Sequence, residues 1–132
     1  ASKAVLRNDW SEIALKVLNH STKRKDLLQN GLKDAGLCHG TAGVAHIFNR
    51  LYNMTQEAQF QDAAVYWFEK SLEMAKFFNG FAGYQSYILD TKGNVNYVNK
   101  AGFLEGVAGI DLAMLGAVTD NEPAWDEALL LS

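Results

Sequence analysis

Apolar residues recur along this chain at two different periods, and the changes of period mark out its predicted elements. Trp10, Ile13, Ala14, Val17 and Leu18 have the i, i+3, i+4, i+7, i+8 spacing of one helical face. Asp9 and Glu12 have capping-box spacing, so the pattern predicts a first helix starting near Trp10 with that face buried. Val44, Ala45, Phe48, Leu51 and Tyr52 give a second helix its apolar stripe, with His46, Asn49, Arg50 and Asn53 on the other side. A longer helix is predicted over residues 56–78, with Phe60, Ala64, Trp67, Phe68, Leu72 and Ala75 facing inward. Over 81–98, aromatic and β-branched residues predict two short strands, 84–89 and 95–98, around a turn at 90–94. Residues 107–118 are apolar on nearly every side, which predicts an inner helix buried all round. Pro123 suits the first position of a short closing helix carrying Trp125, Ala128 and Leu129 on one face. The sum is an all-α fold with a small β-hairpin around 84–98.

Composition narrows the class. A chain of 132 residues is one domain or part of a larger one, and 48% hydrophobic residues are enough for a packed core. Twelve Lys and Arg against fifteen Asp and Glu leave a net charge of -3, with no basic excess to attract nucleic acid. The short basic run Lys23-Arg24-Lys25 reads as a solvated helix end. No apolar run approaches the ~18 residues of a membrane span, since the most apolar stretch contains Asp111. A single cysteine, Cys38, forms no internal disulfide and points to a thiol-preserving, cytoplasmic setting. Residues 1–4 lack the regions of a signal peptide and an initiating Met, so the expectation is a chain that begins inside a longer gene product.

Glycine carries the most information. Six of the eleven glycines form two clusters, Gly36, Gly40, Gly43 and Gly102, Gly106, Gly109, with equivalent members 66 residues apart. Each copy, at 36–44 and 102–110, reads Gly-x-x-x-Gly-x-Ala-Gly before a β-branched residue and an apolar helix. Lacking a Cβ, glycine permits either positive φ or close approach, and close packing at the start of an inner helix is the preferred reading for all six.

Inside the motif the copies differ at two adjacent positions: Cys38-His39 in the first stand where the second has Leu104-Glu105. The repeat geometry therefore does not itself require a thiol and an imidazole. Thiolate and imidazole are the usual ligands of zinc, and the positive end of a helix favours an anionic ligand. A metal-binding pair and a buried cysteine beside an exposed histidine both remain open on these residues alone. Glu105 reads as a carboxylate favoured near a helix start, not as a metal ligand. His20 and His46 read as structural residues.

The segments Leu37-Cys38-His39-Gly40-Thr41-Ala42-Gly43 and 102–110, together with the closing segment 125–131, resemble the C-terminal part of the lanthionine synthetase C-like proteins. The resemblance covers most of the chain and implies the C-terminal fragment, 1–132, of an (α/α) toroid with glycine-motif inner helices. It also implies an activity: a cyclase that adds peptide cysteine thiols to dehydroalanine or dehydrobutyrine in a dehydrated precursor peptide, closing thioether rings at a zinc ion. A lantibiotic dehydratase or transporter complex is the partner it suggests. Cys38 and His39 match two of the family's three zinc ligands, and the third, a cysteine from an earlier repeat, is expected outside this chain. The family's acid/base histidine has no counterpart here, so this chain alone is expected to be inactive. The alternative is a non-enzymatic module binding peptides or glutathione-type thiols. Because two repeats leave apolar ends open, the isolated chain is expected to self-associate.

Overall fold

The computed structural model of the chain describes residues 8–120 and 122–129. Four α-helices, α1 (Asn8–Ser21), α2 (Thr41–Thr55), α3 (Ala58–Glu73) and α4 (Val107–Val118), accompany one antiparallel hairpin, β1 (Ser86–Leu89) and β2 (Val95–Val98), and a closing 3-10 helix, Ala124–Leu129. The architecture is thus mostly helical, as the pattern predicts, with the hairpin in its predicted place. The predicted signal-free start at 1–4 and the last residues of the closing segment lie outside the described residues.

The central element is α2, which packs against both α3 and α4. On one side, Leu32, Ala45, Phe48, Phe60, Ala63, Ala64 and Trp67 form a buried cluster against which Leu15 and Leu18 of α1 pack. On the other, Ala35, Leu37, Ala42, Tyr84, Ile110 and Ala113 form a second, joined by Trp125 and Leu129 of the closing helix. The helix α3 is shorter than predicted at both ends. Gln56 takes a left-handed conformation at φ 58° and ends α2, while α3 stops at Glu73, so that Ala75 lies beyond it; Leu72, inside the helix and expected to face inward, is exposed.

Two predicted faces are corrected. Leu15 and Leu18 anchor α1, whereas Ile13 and Val17 are 59% and 60% exposed. Within the described residues α1 runs from Asn8, with Asp9 in its first turn. Helix α4 buries Gly109, Ile110, Ala113 and Gly116, one face only, and leaves Leu115 and Val118 exposed. An all-apolar sequence has no polar side to reveal which face lies inward, so periodicity is silent there.

In the hairpin, Ser86 pairs with Val98 and Leu89 with Val95. Its turn is built by Asp90, whose Oδ1 accepts the N–H groups of Lys92 and Asn94 at 2.8 Å, and by Gly93 at φ 83°, a left-handed position suited to glycine. Tyr84, two residues ahead of β1, is buried in the second cluster and seats the approach to the hairpin on the core.

Candidate metal centre

The two glycine motifs fold into the same backbone loop. The Gly40 N–H donates to the Gly36 carbonyl at 2.9 Å and the Gly106 N–H to that of Gly102 at 3.1 Å. One residue on, the Thr41 N–H donates to the Asp34 carbonyl at 3.1 Å and the Val107 N–H to that of Lys100 at 3.0 Å. These two loop-closing bonds thus recur at the 66-residue spacing.

Four of the six glycines serve close approach, and the expectation of close packing for all six fails at Gly102. None of the six has positive φ, and the N-caps Gly40 and Gly106 are extended, at φ -112° and -117°. Instead, a Cβ at Gly40 would lie 2.3 Å from the Gly36 nitrogen, and one at Gly106 2.4 Å from that of Gly102. A Cβ at Gly43 or Gly109 would fall within 2 Å of the Leu37 or Phe103 carbonyl oxygen. Gly36 is less constrained and Gly102 meets nothing within 4 Å.

These loops meet each other. The Cys38 N–H donates to the Leu104 carbonyl at 2.8 Å, joining the residues that stand at equivalent positions in the two copies. Cys38 is a free and exposed thiol, and His39 is exposed beside it. The buried-cysteine alternative is thereby removed. Both side chains project from a loop whose backbone is fixed upstream, downstream and across to the second motif.

An open groove runs from Cys38 along Phe103, Leu104, Glu105 and Lys100. Glu105 forms an ion pair with Lys100, whose hydrogen bond and charge hold its carboxyl below the ordinary carboxylate range. It is therefore engaged by its own loop. Among the described residues no group of three or more His, Cys, Asp or Glu side chains could hold a metal ion. Cys38 and His39 supply two suitable donors, a soft sulfur and an imidazole nitrogen, both open to an incoming ion.

Sequence reasoning missed a buried polar cluster on α2. His46 and Asp126 are both fully buried, with His46 Nε2 2.9 Å from Asp126 Oδ2, and Arg50 Nε stands 3.0 Å from that same oxygen. The Arg50 contact is an ion pair without the alignment of a hydrogen bond. Arg50 also donates to Glu122 at 3.3 Å, and Trp125 stacks on the His46 ring with centroids 4.6 Å apart. Burial pushes His46 below its ordinary range despite the opposing pull of Asp126. The polar side of α2 is therefore partly an internal face; the i, i+4 pairing of His46 and Arg50 opposite the apolar stripe was its only sequence signal. His20, by contrast, is exposed on α1.

Two helices begun by paired glycine loops, α2 and α4, packed against each other, define a mostly helical protein with an internal repeat. The family model described as lanthionine synthetase C-like protein matches residues 1–130, and the chain belongs to that family. A comparison with curated proteins finds no match. No helix among the described residues is long and apolar enough to cross a membrane.

Proposed function

We propose that this chain is the C-terminal portion of a zinc-dependent lanthionine synthetase, a peptide cyclase built as an (α/α) toroid, in which Cys38 and His39 hold the metal. The observation that supports this most directly is the contrast between two loops closed by the same pair of backbone hydrogen bonds. One exposes a thiol and an imidazole where the other has Leu104 and Glu105, so the pair is not a requirement of the fold. Bound zinc supplies a Lewis acid that holds a substrate thiol deprotonated.

The chain's own residues hold and orient. Cys38 and His39 supply adjacent donors on a fixed backbone, and the groove along Phe103 and Leu104 offers apolar surface beside them for a segment of dehydrated peptide. Lys100 keeps Glu105 engaged in an ion pair. A catalytic zinc needs three protein ligands and one open position, so a third ligand comes from elsewhere in the parent protein. The chain alone accordingly lacks cyclase activity.

The test is elemental analysis with a ring-closure assay on dehydrated precursor peptide. Cys38→Ala or His39→Ala in the full-length protein is expected to strip zinc and abolish cyclisation, whereas Glu105→Gln leaves zinc content unchanged. Full zinc occupancy in either of the first two variants overturns the assignment.

A further inference from the structure

The loop that carries Cys38 and His39 is held by a side chain that its twin does without. Asp34 is 5% exposed, and its carboxylate accepts two backbone N–H groups. Oδ1 takes that of Gly36 at 2.9 Å, closing the turn that leads into Leu37 and Cys38. Oδ2 takes that of Tyr87 at 2.8 Å, reaching out of the loop to strand β1. Burying a carboxylate costs free energy that hydrogen bonds must offset, so such a residue demands a reason.

The repeat supplies a control for that reason. Position 34 is equivalent to position 100, and there the second copy has Lys100, whose side chain runs along the surface to Glu105. Yet the second loop closes with the same pair of backbone hydrogen bonds. The motif's backbone fold therefore does not depend on a buried carboxylate. What separates the copies is the burden of the loop: two donor side chains in one, none in the other.

Strand β1 is a suitable anchor. It is paired with β2, and Tyr84, two residues ahead of it, is buried in the core. Next to Tyr87, the Ser86 hydroxyl donates to the Glu105 carbonyl of the second loop, so consecutive residues of one strand grip both motif loops.

We infer that Asp34 is a positioning residue for the Cys38–His39 pair, tying the donor loop to the hairpin so that thiol and imidazole are presented in one fixed arrangement. The inference deepens the zinc reading above and rests on it for its functional meaning. Residues that orient metal ligands from behind are worth roughly 10–100-fold in metal affinity.

The experiment compares full-length wild type with Asp34→Asn and with Lys100→Ala, its counterpart in the other copy. Asparagine keeps the shape, but its amide nitrogen cannot accept the second N–H. Asp34→Asn is expected to weaken zinc binding at least ~10-fold by chelator competition, and to alter the thiolate-to-metal absorption of the cobalt-substituted protein. Amide exchange is expected to quicken over 36–42 but not over 102–108, and Lys100→Ala is expected to leave zinc affinity within about twofold of wild type. Wild-type zinc affinity and an unchanged cobalt spectrum in Asp34→Asn overturn the inference, as does an equal loss in Lys100→Ala. If wild type binds no zinc, the zinc reading falls by itself and amide exchange decides the brace: quickened over 36–42 it stands, unchanged it falls. Should Asp34→Asn not fold, Tyr87→Pro removes the donor at the other end, on a nitrogen that points to Asp34 and not to β2. It is expected to produce the same pattern, and its absence overturns the proposal.

Discussion

A Cβ at Gly109 would sit 1.8 Å from the Phe103 carbonyl oxygen, a contact that no side-chain adjustment relieves because both partners are backbone. Gly109→Ala must therefore displace the loop or the start of α4. The expected cost is about 4 kcal/mol or more in urea or thermal unfolding. Gly102→Ala, in the same motif, meets open space at a φ outside the left-handed region. It is expected to change stability by less than ~1 kcal/mol, and in the stabilising direction, because alanine restricts the unfolded chain. Spacing alone makes the glycines equivalent between copies, Gly36 with Gly102 and Gly43 with Gly109. It carries no information about which missing Cβ faces a carbonyl, so their ranking within a motif was not legible in the sequence. The contrast of Cys38-His39 with Leu104-Glu105 was fully legible, since it needed only the repeat register. Asp34 was not, because its role depends on β1 arriving beside it from 53 residues further along the chain.

At the scale of elements, the closing 3-10 helix is fastened to α2 by charge as well as by packing. Asp126 inserts between His46 and Arg50, and Trp125 covers the His46 ring. With Arg50 already neutralising Asp126, the fold favours neutral His46, donating from Nε2; a proton on Nδ1 would add an uncompensated buried charge. The unfolded chain therefore binds more protons below pH 6.5, the ordinary histidine value. Stability contributed by this site is complete above that pH, falls as pH drops toward the lowered folded value, and then levels off. Wild-type urea midpoints are expected to decline from pH 7 to pH 5 more steeply than those of His46→Gln, which keeps a donor at the Nε2 position but does not titrate. Equal slopes would show that His46 is not the coupled group. His46→Ala, which leaves Asp126 short of a donor, is expected to cost about 1.5–3 kcal/mol at pH 7. Periodicity made α2 and α3 legible and residue type the hairpin, but the closing helix presents only six residues, too few for a period to show that Asp126 lies inward.

For the molecule as a whole, the misjudged faces share one property: apolar positions expected in the interior, from periodicity on α1 and from all-round apolarity on α4, are exposed. Ile13, Val17, Leu115 and Val118 are each more than half exposed, although all four are residues that normally gain ~1.5–3 kcal/mol apiece by full burial. Helical repeats bury such faces against neighbouring units, so the chain presents surfaces shaped for contacts it does not make within itself. The expected behaviour of the isolated chain is concentration-dependent self-association, with its sedimentation coefficient rising as protein concentration is increased. Hydrophobic contact weakens on cooling and electrostatic contact weakens with salt, so the association should diminish in the cold and persist in high salt. Val17→Glu and Leu115→Glu, each placing charge on an exposed position of a different helix, separate the two faces as sources. Loss of association in one variant identifies the face responsible. A monodisperse monomer for wild type at high concentration would mean that these faces are tolerated in water, and would remove the physical argument for neighbouring units.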